Sequence, residues 1–429
     1  MHLIPHGGSG PVLAVRRQDH RKVMGTTNNA GAELKTLELA RSEQNYMREL
    51  RREFHKHPEL SLNERRTSAR IREELDAIGV PYILVGEFGI VATIAGSQSE
   101  RVIALRADMD ALPIEEDNPH LEYRSGTARV MHACGHDGHV AMLLGAARIL
   151  MKSRDQLHGT VKLCFQQAEE VGEGTEDILK ELARHPVESV LGIHLWSELA
   201  TGKISIESGP RMAAGQSVDL TIHGVGTHGA YPNRGIDPII ATAAIVMNCA
   251  ALVSREFDPT EPVALTFGSI CGGNADNVIP DKVNVSGTMR ATRPETMNYL
   301  EEALKRTVTS TADAYRTRAE IRFSGGVSAV TNDPACSNVA RRAIQSLGLE
   351  KDCTSFNTVM ASENFADFLK VYPGVFAFIG VRNEEIDAVY PHHHPKFNID
   401  EDVLFRGAAL YAQYSIEYFR SEHKEEHNG

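Results

Sequence analysis

Val102-Ile103-Ala104-Leu105-Arg106-Ala107-Asp108-Met109-Asp110 sets the architecture. Its apolar, β-rich start is the kind of run that sits buried in an α/β sheet, and it ends on two carboxylates. Residues 90–95 read the same way. Downstream, Val140, Leu143, Leu144, Ala147 and Leu150 describe a buried helix stripe. Residues 161–166 predict a strand leading into Glu169-Glu170, and residues 189–193 a strand running into His194. Carboxylates and imidazoles therefore gather where strands end, which is where open α/β sheets place their ligands. Upstream, Met47, Leu50 and Phe54 predict a helix that stops at His57-Pro58. Ser61 and Glu64 have capping-box spacing, so a second helix is expected to carry Thr67, Ile71, Leu75 and Ile78 and to stop at Gly79.

Between about Gly215 and Phe323 the rhythm changes to strand (217–224), helix (237–253), strand (262–268), strand (281–289), helix (Leu300, Leu304, Val308) and strand (320–323). This β-α-β-β-α-β order is the ferredoxin-like signature, long enough for a small domain inserted into a larger one. The α/β rhythm then resumes with a strand at 375–379 and a closing helix near 400–418. The expected division is an α/β unit of 33–213 plus 326–421 and an inserted α+β unit of 214–325. Residues 1–32 are expected to be a disordered extension and 422–429 a tail.

The chain has 429 residues, a net charge of −12, 42% hydrophobic and 24% charged residues, a composition that predicts a soluble globular protein. The acidic balance argues against nucleic acid as a partner and leaves small molecules. The apolar run 239–253, broken by Thr242 and Asn248, falls short of the roughly 20 residues of a membrane span, so no membrane partner is expected. Six cysteines, at 134, 164, 249, 271, 336 and 353, lack framework spacing and suit a reducing compartment, the cytoplasm. Arg16, Arg17, Arg21 and Lys22 are not followed by the apolar stretch and small-residue cleavage site of a secretory leader, and Met24 offers a second start.

The densest chemistry is Cys134-Gly135-His136-Asp137-Gly138-His139, where thiolate and imidazole donors alternate with glycines that permit an irregular backbone. Such donors suit Zn²⁺ and its neighbours, while carboxylates add affinity for harder ions such as Mn²⁺. The plainer reading is a glycine-rich turn with hydrogen-bonded histidines. Glu169 and Glu170 would repel each other unless cations or protons offset their desolvation. If Glu170 coordinates, Glu169 is free to take a proton from the attacking water. A lone His194 is more often a core histidine, and among His392, His393 and His394 spacing does not choose a ligand. Together these donors are too many for a closed four-ligand site but suit two ions sharing a bridge, which points to a two-metal hydrolase.

Several stretches carry a resemblance: Phe54-His55-Lys56-His57-Pro58-Glu59-Leu60, Arg106-Ala107-Asp108-Met109-Asp110-Ala111-Leu112-Pro113, His132-Ala133-Cys134-Gly135-His136-Asp137-Gly138-His139 and Gln166-Gln167-Ala168-Glu169-Glu170. So do His228-Gly229-Ala230-Tyr231-Pro232, Gly273-Asn274-Ala275-Asp276-Asn277-Val278-Ile279-Pro280, Gly287-Thr288-Met289-Arg290 and His393-His394-Pro395-Lys396-Phe397. From roughly Tyr46 to Tyr418 the sequence resembles the hippurate hydrolase and indoleacetyl-amino-acid hydrolase group. These are N-acyl-amino-acid amidohydrolases related to the carboxypeptidase G and aminoacylase-1 metallopeptidases.

The resemblance implies a large metallopeptidase-type α/β catalytic domain with a smaller ferredoxin-like lid and dimerisation domain inserted in it. It implies two divalent ions per subunit, Mn²⁺ or Zn²⁺ with Co²⁺ and Ni²⁺ as further candidates. Cys134 would bridge them and His136, Glu170, His194 and His393 would complete the ligand set, with Glu169 as general base and then acid. Asp110 would orient a ligand, and His139 would pack in its helix. His228 would reach a partner subunit's site to stabilise the oxyanion, making the protein a homodimer or a higher assembly. Asn277 and Arg290 would hold the substrate, Arg290 by clamping a carboxylate. Two departures, Asn233 after Pro232 and Asn364 in Ser362-Glu363-Asn364-Phe365, bear on the substrate pocket, because Asn can donate where ionised Asp only accepts.

The expected reaction is hydrolysis of an N-acyl or N-aroyl amino acid to a carboxylic acid and a free amino acid. The alternatives are a dipeptidase or carboxypeptidase on the same two ions, and a non-catalytic metal-binding regulator. The acyl group is not legible.

Overall fold

The computed structural model describes residues 29–97 and 100–420. The expected tail and most of the expected extension lie outside them. Helix α1, Asn29–Ser42, begins inside the stretch assigned to that extension, so residues 29–32 are helical.

Helices α2 (Gln44–Lys56) and α3 (Arg65–Ile78) lead into strands β1 (Tyr82–Val85), β2 (Gly89–Ala95) and β3 (Val102–Asp108). Helix α4 (His136–Lys152), β4 (Thr160–Gln166), α5 (Thr175–Leu182), β5 (Val187–Ala200) and β6 (Ile204–Ser205) follow. The inserted unit contributes β7 (Ala214–His223), α6 (Pro238–Glu256), β8 (Val263–Gly272), β9 (Lys282–Ala291), α7 (Pro294–Ala314) and β10 (Arg318–Val327). The chain then adds α8 (Pro334–Ser346), α9 (Ala366–Val371), β11 (Gly374–Arg382) and α10 (Leu404–Arg420).

The larger sheet has the order β1-β2-β4-β3-β5-β11-β6. Its centre is parallel, β4 and β5 flanking β3 and β11 joining β5, while the edges are antiparallel. The chain therefore leaves β3 toward both sides, a switch point that opens a crevice at the carboxyl ends of the strands. Helix α4 is apolar on nearly every face because it is enclosed by the sheet, α2 and α10, within one core that includes Val140, Leu143, Met47, Leu410 and Tyr411. That enclosure fixes its first turn, His136–His139, over the crevice.

The inserted unit is a four-stranded antiparallel sheet in the order β8-β9-β7-β10, the ferredoxin-like order, with α6 and α7 on its apolar face around Leu220, Ile245, Leu300 and Leu304. Helix α6 starts cleanly because Asp237 accepts the Ile239 N–H at 2.8 Å ahead of Pro238. It also corrects an expectation: once coiled, Pro238–Glu256 is long and apolar enough to cross a membrane by length and composition. One face of it, Ala241, Ile245, Cys249 and Leu252, is buried in the core of the inserted unit.

Close approach of α4 to its neighbours depends on Gly145, where an added Cβ would lie 2.4 Å from Met47 Sδ and 3.3 Å from Ala408 Cβ. Gly145→Val should therefore destabilise the fold by about 1–3 kcal/mol in chemical denaturation. A variant as stable as the parent would mean that α2 and α10 can part from α4 without cost.

Candidate metal centre

The crevice gathers donors from four separate segments of the chain. His136 opens α4 after Gly135, which is left-handed at φ +94°. Its Nδ1 lies 3.0 Å from the Asp110 carbonyl oxygen and 3.2 Å from Asp110 Oδ1. Both are acceptors, so Nδ1 keeps a proton and Nε2, buried and without a hydrogen-bond partner, is the nitrogen left to face a cation; with none bound, Asp108, Cys134 and Asp110 outweigh burial and the ring holds its second proton more tightly. His194 does not end its strand as expected. It lies inside the 14-residue β5, opposite Phe378 of β11, because the parallel pairing continues past it. Its Nδ1 donates to the Leu195 carbonyl at 2.7 Å, which leaves Nε2 3.5 Å from Cys134 Sγ.

After β4 the chain turns at Ala168, held left-handed at φ +60° and ψ +36°, into the single helical turn Glu169–Val171. Glu170 N–H donates to Asp110 Oδ2 at 3.0 Å, and Ser61 Oγ donates to the same oxygen at 2.7 Å. This overturns the capping box. Glu64 does occupy the N-cap of α3, yet its side chain makes no capping bond there and instead accepts the Ala168 N–H. The two polar side chains satisfy a loop that is distant in sequence rather than their own helix.

Of the three neighbouring histidines, His392 is spent on Leu195 O and Ser197 Oγ. His394 stacks on Tyr390 and accepts the Lys396 N–H. His393 is left-handed at φ +64°, its N–H donates to Ala133 O at 2.8 Å, and its Nε2 lies 3.5 Å from Glu170 Oε2. The donor atoms of Cys134, His136 and His194 lie within 4.8 Å of one another, and so do those of Cys134, Glu170 and His393. Cys134 belongs to both sets. Asp108, His136 and His139 also cluster, but His139 has no nitrogen to spare: Nε2 accepts the Leu195 N–H and Nδ1 donates to Asp108 Oδ1 at 2.6 Å.

Burial and the neighbouring Glu363 and Glu170 carboxyls push Glu169 well above the usual carboxylate range. Burial also pushes Glu170 up to about 7, with Asp110 and Asp108 adding to the shift against the opposing pull of His136. The Cys134 thiol is raised by burial and by Glu170. His194 is lowered by burial and by His139 and His392, which keeps it neutral. Two acids and a thiol shifted above their usual range, beside buried polar atoms without a hydrogen-bond partner at His136 Nε2 and Glu170 Oε1, mark a place short of positive charge. Sulfur, imidazole and carboxylate donors in this number fit two divalent cations.

Behind the donors lies a network that the sequence reading passed over. Arg106, 2% exposed in the middle of β3, donates to Asp108 Oδ2 at 2.7 Å, Glu363 Oε1 at 2.9 Å and Gln166 Oε1 at 2.8 Å. The signal for it was an arginine inside an otherwise apolar strand. Asn364 Oδ1 accepts from Arg106 and Gln166 while its Nδ2 donates to the Glu173 carbonyl, so this position uses both halves of an amide. Its backbone N–H donates to Glu169 Oε1 at 3.4 Å. On the other side, fully buried Arg51 and His55 of α2 hold Asp137 at 2.9 and 2.7 Å, which pins the residue after His136.

The inserted unit places its candidates differently. Arg290 on β9 donates to Ser362 Oγ at 2.6 Å, next to Glu363 and Asn364. His228 and Asn277 are exposed neighbours on the two-strand ribbon of Thr227–His228 with Val278–Ile279, where Gly229 N–H donates to Asn277 O. The His228 ring accepts the Ala230 N–H and lies 5.9 Å from Tyr231, and it is in none of the donor groups. Asn233 lies in the exposed turn Pro232–Arg234.

The model of peptidase family M20/M25/M40 matches residues 104–417. An IAA-amino acid hydrolase, ILR1-like 2, of Arabidopsis thaliana is 38% identical over 90% of this chain and 89% of its own length. Thermostable carboxypeptidase 1 of Saccharolobus solfataricus is 35% identical over 86% of this chain and 94% of its own. Among solved structures, a dinuclear metal binding peptidase of the M20 family from Bacillus subtilis is 30% identical over 88% of this chain and 99% of its own, with a TM-score of 0.79.

Because Glu170, Cys134 and His136 are all shifted upward and a ligand must give up its proton to coordinate, cation binding should release protons. Affinity should rise as pH is raised from 6 to 8, and calorimetry in buffers of different ionisation enthalpy should register net proton release. An affinity independent of pH over that range would mean these groups have already lost their protons.

Proposed function

This chain belongs to peptidase family M20/M25/M40, and on that premise we propose that it hydrolyses the amide bond of N-acyl or N-aroyl amino acids, releasing a carboxylic acid and a free amino acid. The observation that carries this reading is the pair of donor groups that share Cys134, with Glu169 beside them: Glu170 groups with Cys134 and His393, while Glu169, within 4.8 Å of the His136 and Glu170 donors, also accepts the Asn364 amide. Cys134, His136, Glu170, His194 and His393 would hold two divalent cations, Cys134 shared between them, and Asp110 fixes His136 in the tautomer that leaves Nε2 free. The thiolate and imidazoles suit Zn²⁺ and the carboxylate also accommodates Mn²⁺. When bound, such cations acidify water and polarise the acyl carbonyl. Glu169, raised by burial and by Glu363, takes the proton of the attacking water and returns it to the leaving amine. Arg290 pairs with the α-carboxylate and Asn277 assists in holding the substrate.

The oxyanion is met by His228 of a second copy. Support comes from its exposed place outside the donor groups of its own subunit, and from the surface around it. Strand β8 is an uncovered sheet edge, and Ile239, Ile240 and Met247 of α6 are exposed. A homodimer joined along β8 and α6 pairs that edge and covers those side chains. All six cysteines are unpaired, and a thiol at the heart of the site suits the cytoplasm. The similarity to a carboxypeptidase favours a second reading, cleavage of a peptide, which differs in tolerating a free amine on the acyl side.

Glu169→Gln should keep both cations and lower kcat by about 10²–10⁴-fold; near-parental turnover would remove Glu169 from its role. Hippurate should be hydrolysed in preference to Gly-Phe with Mn²⁺, Zn²⁺, Co²⁺ or Ni²⁺ present, and the opposite preference would favour the peptidase. Ile270→Lys on the β8 edge should give a monomer by sedimentation, with its cations retained and kcat reduced. A fully active monomer would exclude the shared site.

A further inference from the structure

The acidic turn is held at two backbone amides, and each is held by a carboxyl group. Asp110 takes the Glu170 N–H. The other amide, that of Ala168, donates to Glu64 Oε1 at 2.7 Å, across more than 100 residues of sequence. Glu64 and Ala168 are both fully buried, and Glu64 Oε2 has no hydrogen-bond partner. Ala168 adopts a left-handed conformation without being glycine, which costs about 1–2 kcal/mol. A conformation of that kind persists only where its surroundings impose it. Removing the acceptor would also leave a buried N–H unsatisfied, a further penalty of about 1–3 kcal/mol. Both penalties are relieved by the same movement, rotation of residue 168 out of the left-handed region. That rotation would re-aim the two residues immediately after it, Glu169 and Glu170.

We propose that Glu64 is a positioning residue: its carboxyl oxygen, acting through the Ala168 amide, fixes the left-handed turn that directs Glu170 toward Cys134 and His393 and Glu169 toward Asn364. The geometry stands by itself, and its consequence for turnover rests on the roles proposed above for these two acids. What the turn requires from position 64 is an acceptor of the right length, not a charge. Burial pushes the Glu64 carboxyl up to about 7, and a glutamine keeps the acceptor.

The test compares Glu64→Gln, Glu64→Ala and the double variant Glu64→Ala with Ala168→Gly, in the full chain. Hydrogen exchange in the metal-free protein, followed by mass spectrometry on peptides covering 166–173, reads the turn without any assumption about activity. Glu64→Ala should exchange there at least tenfold faster and Glu64→Gln as the parent does. With Mn²⁺ added, Glu64→Ala should bind cations 10–100-fold more weakly and lose 10–100-fold in kcat against hippurate, with KM within about twofold. Glu64→Gln should stay within about threefold on each measure. The double variant should recover part of the loss, since glycine enters the left-handed region without strain.

The proposal is overturned if Glu64→Ala exchanges and binds cations like the parent, or if Glu64→Gln loses as much as Glu64→Ala. Should Glu64→Ala fail to fold, Glu64→Gln decides alone, a loss beyond tenfold in cation affinity overturning it. If the parent itself leaves hippurate intact, the proposed reaction fails, while exchange and cation binding still judge Glu64.

Discussion

Acidic groups cannot be taken out of water together unless positive charge is buried with them. Each ion moved into the interior costs several kcal/mol even after relaxation. Here Asp108, Asp110, Glu169, Glu170, Glu363 and the Cys134 thiol converge on one crevice. Among the described residues the guanidinium of Arg106 stands against Asp108 and Glu363, joined by the His136 imidazole, whose own burial is outweighed by Asp108, Cys134 and Asp110 so that it holds its proton more tightly. What remains uncompensated lies on the side of Glu169, Glu170 and Cys134. The fold is arranged around that deficit: the parallel strands end there, α4 begins there, and two charged clusters, that of Arg106 and a second on α2, brace the elements that surround it.

Those braces differ in kind. Arg106 stands between strands and ties β3, β4 and the 362–364 segment into one polar layer behind Glu169. Arg51 and His55 reach from α2 to Asp137 and hold α4 at its first turn. Their partner Asp137 is strongly stabilised as a carboxylate, because Arg51 and His55 outweigh its burial. The first turn of α4 is therefore locked independently of whatever occupies the crevice, and the histidine in it is presented rather than recruited.

Much of this was legible in the sequence because it is encoded locally. Apolar runs ending in Asp108, Glu169 and Glu170 reveal parallel strands that deliver ligands, and the strand–helix alternation after Gly215 reveals the inserted unit. What escaped depends on partners far away in the chain. Ser61 and Glu64 carry a helix-start pattern that only the folded chain redirects to Asp110 and Ala168. The reach of β5 beyond His194 follows from its pairing with β11, nearly two hundred residues later. The choice among His392, His393 and His394 is made by backbone contacts to Ala133 and Leu195, which no spacing rule records. Arg106 could have been suspected, since an arginine in a buried strand requires counter-charges, but their identity could not.

The clustering of Cys134, His136, Glu170, His194 and His393 also has a temporal side. The first of these donors leaves the ribosome more than 250 residues ahead of the last. In between, the inserted sheet, whose strands and helices lie within 214–327 around a core of their own, can complete itself. Until His393 emerges, therefore, no ion can be gripped by the full complement of donors. A nascent chain exposes a soft thiol and two imidazoles long before the histidine that completes the set.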